Sequence, residues 1–422
     1  MSLTLPLALY AAVTRAAEPL APGLLRRRAA GGKEDASRLG ERLGRPTIAR
    51  PEGPLVWLHG VSVGESLSLL PLIQAIRARR PRIGILVTSG TVTSAQVLGG
   101  RLPPGVLHQF VPIDAPGAAA GFLDHWRPGA GLLVESELWP NLIAAARRRD
   151  IPLALVSARM SQASAQGWGR ARGSAQALLG AFDLVLPQDR ASGARLRALG
   201  ARIGPDLNLK LVTRPPPVDA VQVEALRAAL GGRKAILAAS THPGEEQLVA
   251  KAFKAAKTDG ALLIVAPRHP DRGPAVAAEL AEAGFGVARR GAGQPLDADT
   301  SAYVVDTLGE LGAFYVVAEA VVMGGSLVAG IGGHNPMEPA ALGRAVVTGP
   351  HVANAKAIYE AMFAEVAAIE AADGAALTRH VAGLLANPAI AQRIGEAGAA
   401  FARRQGAALD AAMALIEPLL PA

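Results

Sequence analysis

The chain has 422 residues, half of them apolar, with 43 basic and 35 acidic side chains and a formal net charge of +8. That length predicts two or three domains, and the apolar share excludes disorder as the main state. Cysteine is absent, which excludes a disulfide scaffold, a zinc-thiolate site, an iron–sulfur cluster and a cysteine nucleophile.

The first 50 residues hold nine basic and four acidic side chains, so most of the net charge is local. They open with Met1–Thr14, a charge-free apolar run that includes Leu3, Leu5, Leu7, Leu9 and Tyr10. A spanning helix needs about 20 such residues. This run is shorter, contains Pro6, and has no basic segment before it as a signal peptide would. It reads as an interfacial anchor, with Arg26–Arg28 facing anionic headgroups. The alternative is a helix packed on its own domain. Aromatics are 4% and no basic stripe follows the leader, so a nucleic-acid partner is not expected.

Strands and helices then alternate. Leu55–His59, Ile83–Thr88, Gly131–Val134, Leu153–Ser157 and Leu184–Pro187 read as strands. Ser66–Arg79, Thr93–Leu98 and Pro140–Arg149 read as helices between them. The rhythm breaks at residues 213–219 (TRPPPVD), a stiff connector. It restarts with strands at Ala235–Ala239, Leu262–Ala266, Gly286–Ala288, Ala302–Val305 and Ala320–Met323. This pattern predicts an α/β protein of two doubly wound domains with a cleft between them. Ligands of such sheets bind beyond the carboxyl ends of the strands, where the unusual residues of this chain fall.

Glu65, in His59–Ser66 (HGVSVGES), follows the first strand at the start of a helix. A capping Glu in the first turn is the commoner role and a general base the other, and the residues alone leave both open. The segment lacks the Gly-Lys-Ser/Thr ending of a phosphate-binding P-loop. Glu135, Glu137 and Trp139 stand together after another strand, with helix capping and core packing as the plain alternatives. Lys210 is one of 7 lysines against 36 arginines, which hints that a compact point charge is wanted there. After Leu262–Ala266 comes Pro267-Arg268, with Arg268 placed for a phosphate or carboxylate, or simply exposed. Ser240–Glu246 (STHPGEE) offers helix-capping groups, and His242 within it has no assigned role. Gly324-Gly325-Ser326 and Gly332–Glu338 give the strongest local signal. The reading is a glycine-rich loop of bare amides meeting an anion, then a helix from near Asn335 with Pro336 in its first turn. Glu338 would reach the paired hydroxyls of a ribose. A G-x-S-x-G nucleophile elbow is missing at Ser326, which disfavours a serine hydrolase.

Arg38–Gly44 (RLGERLG), HGVSVGES, Val134–Asn141 (VESELWPN), Ser157–Ser164 (SARMSQAS), STHPGEE, Pro267–Arg272 (PRHPDR), Gly324–Ala341 (GGSLVAGIGGHNPMEPAA) and Gly349-Pro350-His351 occur in this order along nearly the whole chain. Together they closely resemble the 3-deoxy-D-manno-octulosonic acid (Kdo) transferases of lipopolysaccharide assembly. The resemblance implies a GT-B glycosyltransferase fold. It implies transfer of Kdo from CMP-Kdo to a lipid A precursor of the lipid IVA type, with inversion, at the cytoplasmic face of the cell inner membrane. By resemblance Glu65 is the general base, and Glu135 and Lys210 stabilise the transition state. Pro267, Arg268, Leu308, Gly309, Glu310, Asn335, Pro336, Met337 and Glu338 match the CMP-binding segments. No metal or other cofactor is expected. The implied division is a membrane-associating segment at 1–30, an acceptor-binding domain at 31–212, a linker at 213–219, a donor-binding domain at 220–399, and a helix at 400–422 returning to the first domain. One departure stands out: the family pattern Gly-Ser/Asn-Leu-Lys-Phe-Asp reads Leu207-Asn208-Leu209-Lys210-Leu211-Val212 here. The alternatives are a GT-B enzyme using another nucleotide sugar and a non-catalytic lipid-binding protein of the membrane surface.

Overall fold

The computed structural model describes residues 4–213, 215–256 and 260–422. Met1–Leu3 of the apolar leader and Arg214 of the proline-rich connector therefore lie outside the described residues. The chain forms two compact units, Met1–Val212 with Ala407–Ala422, and Thr213–Gly406.

The first unit is built on β1 (Leu55–His59), β2 (Gly84–Ser89), β3 (Val106–Phe110), β4 (Ala130–Val134), β5 (Leu153–Ala158) and β6 (Leu184–Pro187). They pair in the order β3-β2-β1-β4-β5-β6, and every pairing is parallel. A parallel sheet is covered on both faces, so its inner strands need no polar side. That is why β1 and β4 are buried at all five positions. One face packs Trp57, Phe122 and Trp126, and the other packs Leu58, Leu69 and Leu72. Met413 and Ile416, from the helix Pro388–Ile416, complete the second face. That helix starts twelve residues before Ala400, at Pro388. The strand order reverses between β1 and β4.

The second unit holds β7 (Ala235–Thr241), β8 (Leu262–Pro267), β9 (Val287–Arg289), β10 (Ala302–Val304), β11 (Ala320–Met323), β12 (Ala345–Thr348) and β13 (Ile369–Glu370). Their order is β13-β12-β11-β7-β8-β10-β9, again parallel throughout. Here the reversal falls between β7 and β11. Both sheets have the doubly wound form expected from the alternation, and β3, β12 and β13 are strands that the apolar pattern did not reveal.

The leader is built into the first unit rather than held apart from it. It forms helices at Leu5–Ala17 and Ala21–Ala30. Leu7 and Leu25 are buried. The Tyr10 hydroxyl donates to Asp114 (3.0 Å), and the Asn141 amide donates to the Thr14 hydroxyl (2.9 Å). The Glu18 carboxylate accepts from the amides of Gly117 and Ala118, at the start of the helix Pro116–Trp126. Much of the leader's charge is engaged inside the fold: Arg28 and Arg42 pair with Glu34, and Arg38 pairs with Glu41. Arg15, Arg26 and Arg27 remain exposed. Leu5, Leu9 and Val13, four residues apart on one helical face, are exposed, as are Leu20 and Leu24. Among the described residues no helix is long and apolar enough to cross a membrane.

Candidate active site

Three residues named from sequence meet in the first unit at its topological switch point. The helix Val63–Arg79 follows β1, with Ser62 as its N-cap. Glu65 accepts from the Val61 amide and the Ser62 hydroxyl, both at 2.8 Å, and its own amide donates to Ser62 Oγ at 3.3 Å. This reciprocal arrangement is a variant of the capping box, with the Val61 amide and the Ser62 hydroxyl in place of the N-cap amide, and it fixes the carboxylate at the helix start. Gly60 permits the approach: a Cβ there would lie 3.1 Å from Glu65 and 3.1 Å from the Val134 side chain, at the end of β4.

Glu135 follows β4 and is held at φ 58°, the left-handed region that costs a non-glycine residue about 1 kcal/mol. It is buried and pairs with the Lys210 ammonium, whose side chain stays one-third exposed. Lys210 Cε lies 4.0 Å from where a Cβ on Gly64 would sit, so the ion pair borders the helix turn that carries Glu65. Lys210 rides on a short 3-10 turn, Leu209–Leu211, whose first amides are bonded to Ser157 Oγ and Asn208 Oδ1. Leu207 and Val212, the two departures from the family pattern, are both buried. Their apolar burial anchors both ends of the turn. Glu137, by contrast, turns away from this pair. It accepts from the Trp139 indole and lies 3.5 Å from Nε2 of the fully buried His59.

The segments named for the second unit follow the strands β8, β10 and β11, at the carboxyl edge of its sheet. Pro267 is buried at the end of β8, and Arg268 beside it is exposed. Among the described residues Arg268 makes no ion pair. Leu308 and Gly309 form an exposed turn after β10. Glu310 is already engaged, bonded to Arg290, Thr307 and Gln222. These cations and donors hold its carboxyl below the usual range, with the Arg290 bond the largest cause. Asn335 accepts from the Met337 amide and donates to Thr213, Met337 is fully buried, and Glu338 is half-buried.

The glycine-rich loop differs from expectation. Its helix is one short turn, Met337–Ala341, with Pro336 as its N-cap. Four of its amides are not bare: Gly333 donates to Gly325 O, His334 donates to Gly324 O, and Gly325 and Leu327 donate to the Glu245 carboxylate. Glu245 also accepts from the His242 amide and is fully buried. The helix Glu245–Ala255 is capped by Gly244 at φ 90°, not by Ser240 or Thr241. With these four amides engaged, side chains gain weight as the groups that would meet an anion. His242 and His334 bring their Nε2 atoms to 2.8 Å, and His269 lies 6.1 Å from His242, ring to ring. Burial lowers His334 to about 4 and His242 in the same direction. Sequence reasoning assigns His59 no role, leaves His242 between a ligand contact and a loop contact, and takes His334 only as a letter of its motif. Their signal is position: His59 ends β1 and His242 directly follows β7, while His334 lies farther along the loop after β11, and all three strands border a switch point. Among the described residues no group of three or more His, Cys, Asp or Glu is placed to hold a metal ion.

The model of the family described as 3-deoxy-D-manno-octulosonic-acid transferase (kdotransferase) matches residues 37–212. A probable mitochondrial 3-deoxy-D-manno-octulosonic acid transferase of Arabidopsis thaliana is 39% identical over 84% of this chain and 82% of its own. The 3-deoxy-D-manno-octulosonic acid transferase of Bordetella pertussis is 38% identical, covering 84% and 85%. That of Haemophilus influenzae is 31% identical, covering 91% of each chain. Among solved structures, MurG of Acinetobacter baumannii superposes with a TM-score of 0.52 at 12% identity, over 85% of this chain and 99% of that one. The C-terminal CMP-Kdo binding domain of WaaA from the same organism is 28% identical, over 43% of this chain and 98% of that one, with a TM-score of 0.40.

Proposed function

The chain belongs to the Kdo transferase family as a GT-B glycosyltransferase, and from that premise we propose that it moves Kdo from CMP-Kdo to a lipid A precursor, inverting the anomeric centre, with Glu65 as general base. The observation that carries the reading is the convergence of Glu65, Glu135 and Lys210 on one sheet's switch point. In this reaction the bond from the anomeric carbon to the CMP phosphate breaks, and its electron pair stays on the phosphate oxygen. The acceptor hydroxyl oxygen bonds to that carbon from the opposite side and gives its proton to Glu65. Lys210, oriented by Glu135, meets the charge that develops in the transition state. The first unit would hold the acceptor and the second would hold CMP. CMP leaves with one phosphate, so Arg268 and its neighbours suffice as counter-charge and no metal is required. The test is incubation with CMP-Kdo and a lipid A precursor in excess chelator, read by mass spectrometry. Acceptor carrying added Kdo is expected. Loss of transfer that added metal restores would overturn the metal-free part, and an unchanged acceptor with or without metal would overturn the whole.

We further propose that the protein docks peripherally on the inner membrane through its leader. The support is the exposed row Leu5, Leu9 and Val13 with Leu20 and Leu24, beside the exposed Arg15, Arg26 and Arg27. Burying one leucine is worth about 1.5–3 kcal/mol. The double variant Leu5→Asp/Leu9→Asp should therefore bind vesicles containing anionic lipid at least about tenfold more weakly. Unchanged co-sedimentation would rule out this face.

A further inference from the structure

Across the β7/β11 switch point the structure places two histidines in contact, His242 from the loop after β7 and His334 from the loop after β11. Their Nε2 atoms are 2.8 Å apart, the ring planes differ by 14°, and the ring centres are 5.0 Å apart. That centre separation is little more than the N···N contact plus the two ring radii. The rings therefore lie edge to edge and almost coplanar, and the contact is an N–H···N bond along the lone pair rather than a face-to-face stack. One ring must donate and the other accept, so the neutral pair holds opposite tautomers. A single added proton fits on the outer nitrogen of the donor and strengthens the bond. A second would put two N–H groups against each other, so the intact pair takes up one proton at most.

The surroundings bias that proton. Arg268 and His269 repel it from the loop after β8. Glu245 and Glu246 attract it from the helix below, but both are engaged. Glu245 holds three backbone amides, and Glu246 accepts from Thr241 and pairs with Arg272. Tyr359, packed from the other side, donates its hydroxyl to the His334 carbonyl and presents no charge to the rings. Gly325, at φ 72°, is required here, since a Cβ would come within 2.9 Å of His334 Cδ2. The pocket is thus a cationic corner at the ends of β7, β8 and β11 whose net charge is adjustable by one.

We propose that the His242–His334 pair is a proton-coupled phosphate clamp, which takes up one proton when the phosphate of a cytidine nucleotide arrives and releases it when that phosphate leaves. The proposal rests on the reading of the second unit as the CMP-binding unit. An arriving phosphate stabilises the protonated pair and offsets the repulsion from Arg268 and His269. The sign follows: the free pair is protonated only at low pH and the bound pair at higher pH, so between those values binding consumes a proton and tightens as pH falls.

The test is isothermal titration of CMP into the full-length protein near pH 6, in buffers of different ionisation enthalpy. The same titration is run on the His242→Gln/His334→Gln variant. CMP's own ionisation is common to both proteins and cancels in the difference. The wild type is expected to take up close to one proton more than the variant, and to bind CMP about fivefold more tightly at pH 6 than at pH 8. Equal uptake by two proteins that both bind CMP would overturn the clamp and leave the donor reading intact. Failure of the wild type to bind CMP would overturn both. Should the variant lose CMP binding altogether, the wild-type profile decides. CMP alone loses charge on acidification, its second phosphate ionisation lying near pH 6, so weaker binding at pH 6 than at pH 8 refutes the clamp.

Discussion

Glutamine at position 65 is expected to lower the rate of Kdo transfer by about 10²–10⁴-fold while leaving CMP affinity and thermal stability almost unchanged. This capping arrangement makes the substitution informative. Glu65 ties down Val61 and Ser62, so removal of the side chain alters the loop as well as the chemistry. A glutamine oxygen can still accept from the Val61 amide, and the Ser62 hydroxyl can turn to accept from the new amide. Only the ability to take a proton is lost. Glu65→Ala should cost the same activity and about 1 kcal/mol of stability besides. Single-turnover rates, thermal unfolding and CMP titration on both variants separate the two roles. Turnover by Glu65→Gln within fivefold of wild type would sink the general-base assignment. Equal destabilisation of the two variants would show that the cap does not act as described.

The parts of this fold that were legible in sequence are those whose physics is local. The inner strands of a covered parallel sheet are short apolar runs, and β1, β4, β5, β7 and β11 stand out as such. Strand β3 did not, because it lies at the sheet edge and carries His108 and Gln109. There His108 bonds Ser89, and Arg38 reaches its ring and its carbonyl. Strand β13 is two residues long, too short for any period to register, whereas β12 is an apolar run of the same four-residue length as β11, so its local signal was there to be read. The glycine-rich loop was legible only in part, for a different reason. Bare amides are the default reading of such a loop, and only the fold brings Glu245, some eighty residues upstream, against Gly325 and Leu327. The histidine pair was hidden in the same way, since contact between residues 242 and 334 follows from β11 lying beside β7. The leader's charge reads as a membrane feature until Glu34 and Glu41 are seen buried against three of its arginines.

The second large effect is expected at the Glu135–Lys210 pair, and it separates support of the fold from support of the reaction. Glu135 is 6% exposed and Lys210 reaches solvent, so the pair lies at a boundary. Replacing Lys210 with methionine keeps the bulk of the side chain and strands a buried carboxylate. Its unpaired charge should cost about 3 kcal/mol of stability, with transfer lowered by more than about 10²-fold. Adding Glu135→Gln removes the stranded charge. The double variant should regain most of the stability, because a buried ion pair is worth little more than its neutral replacement and only the broken pair is expensive. If the pair merely holds the loop after β4 in its left-handed turn, activity must return with stability. If the ammonium meets charge in the transition state, activity stays low in a protein that melts normally and still binds CMP. Thermal unfolding beside single-turnover transfer, on the two single variants and the double, gives that comparison directly. Recovery of transfer in the double variant to within tenfold of wild type would remove Lys210 from the chemistry and leave it a structural partner of Glu135.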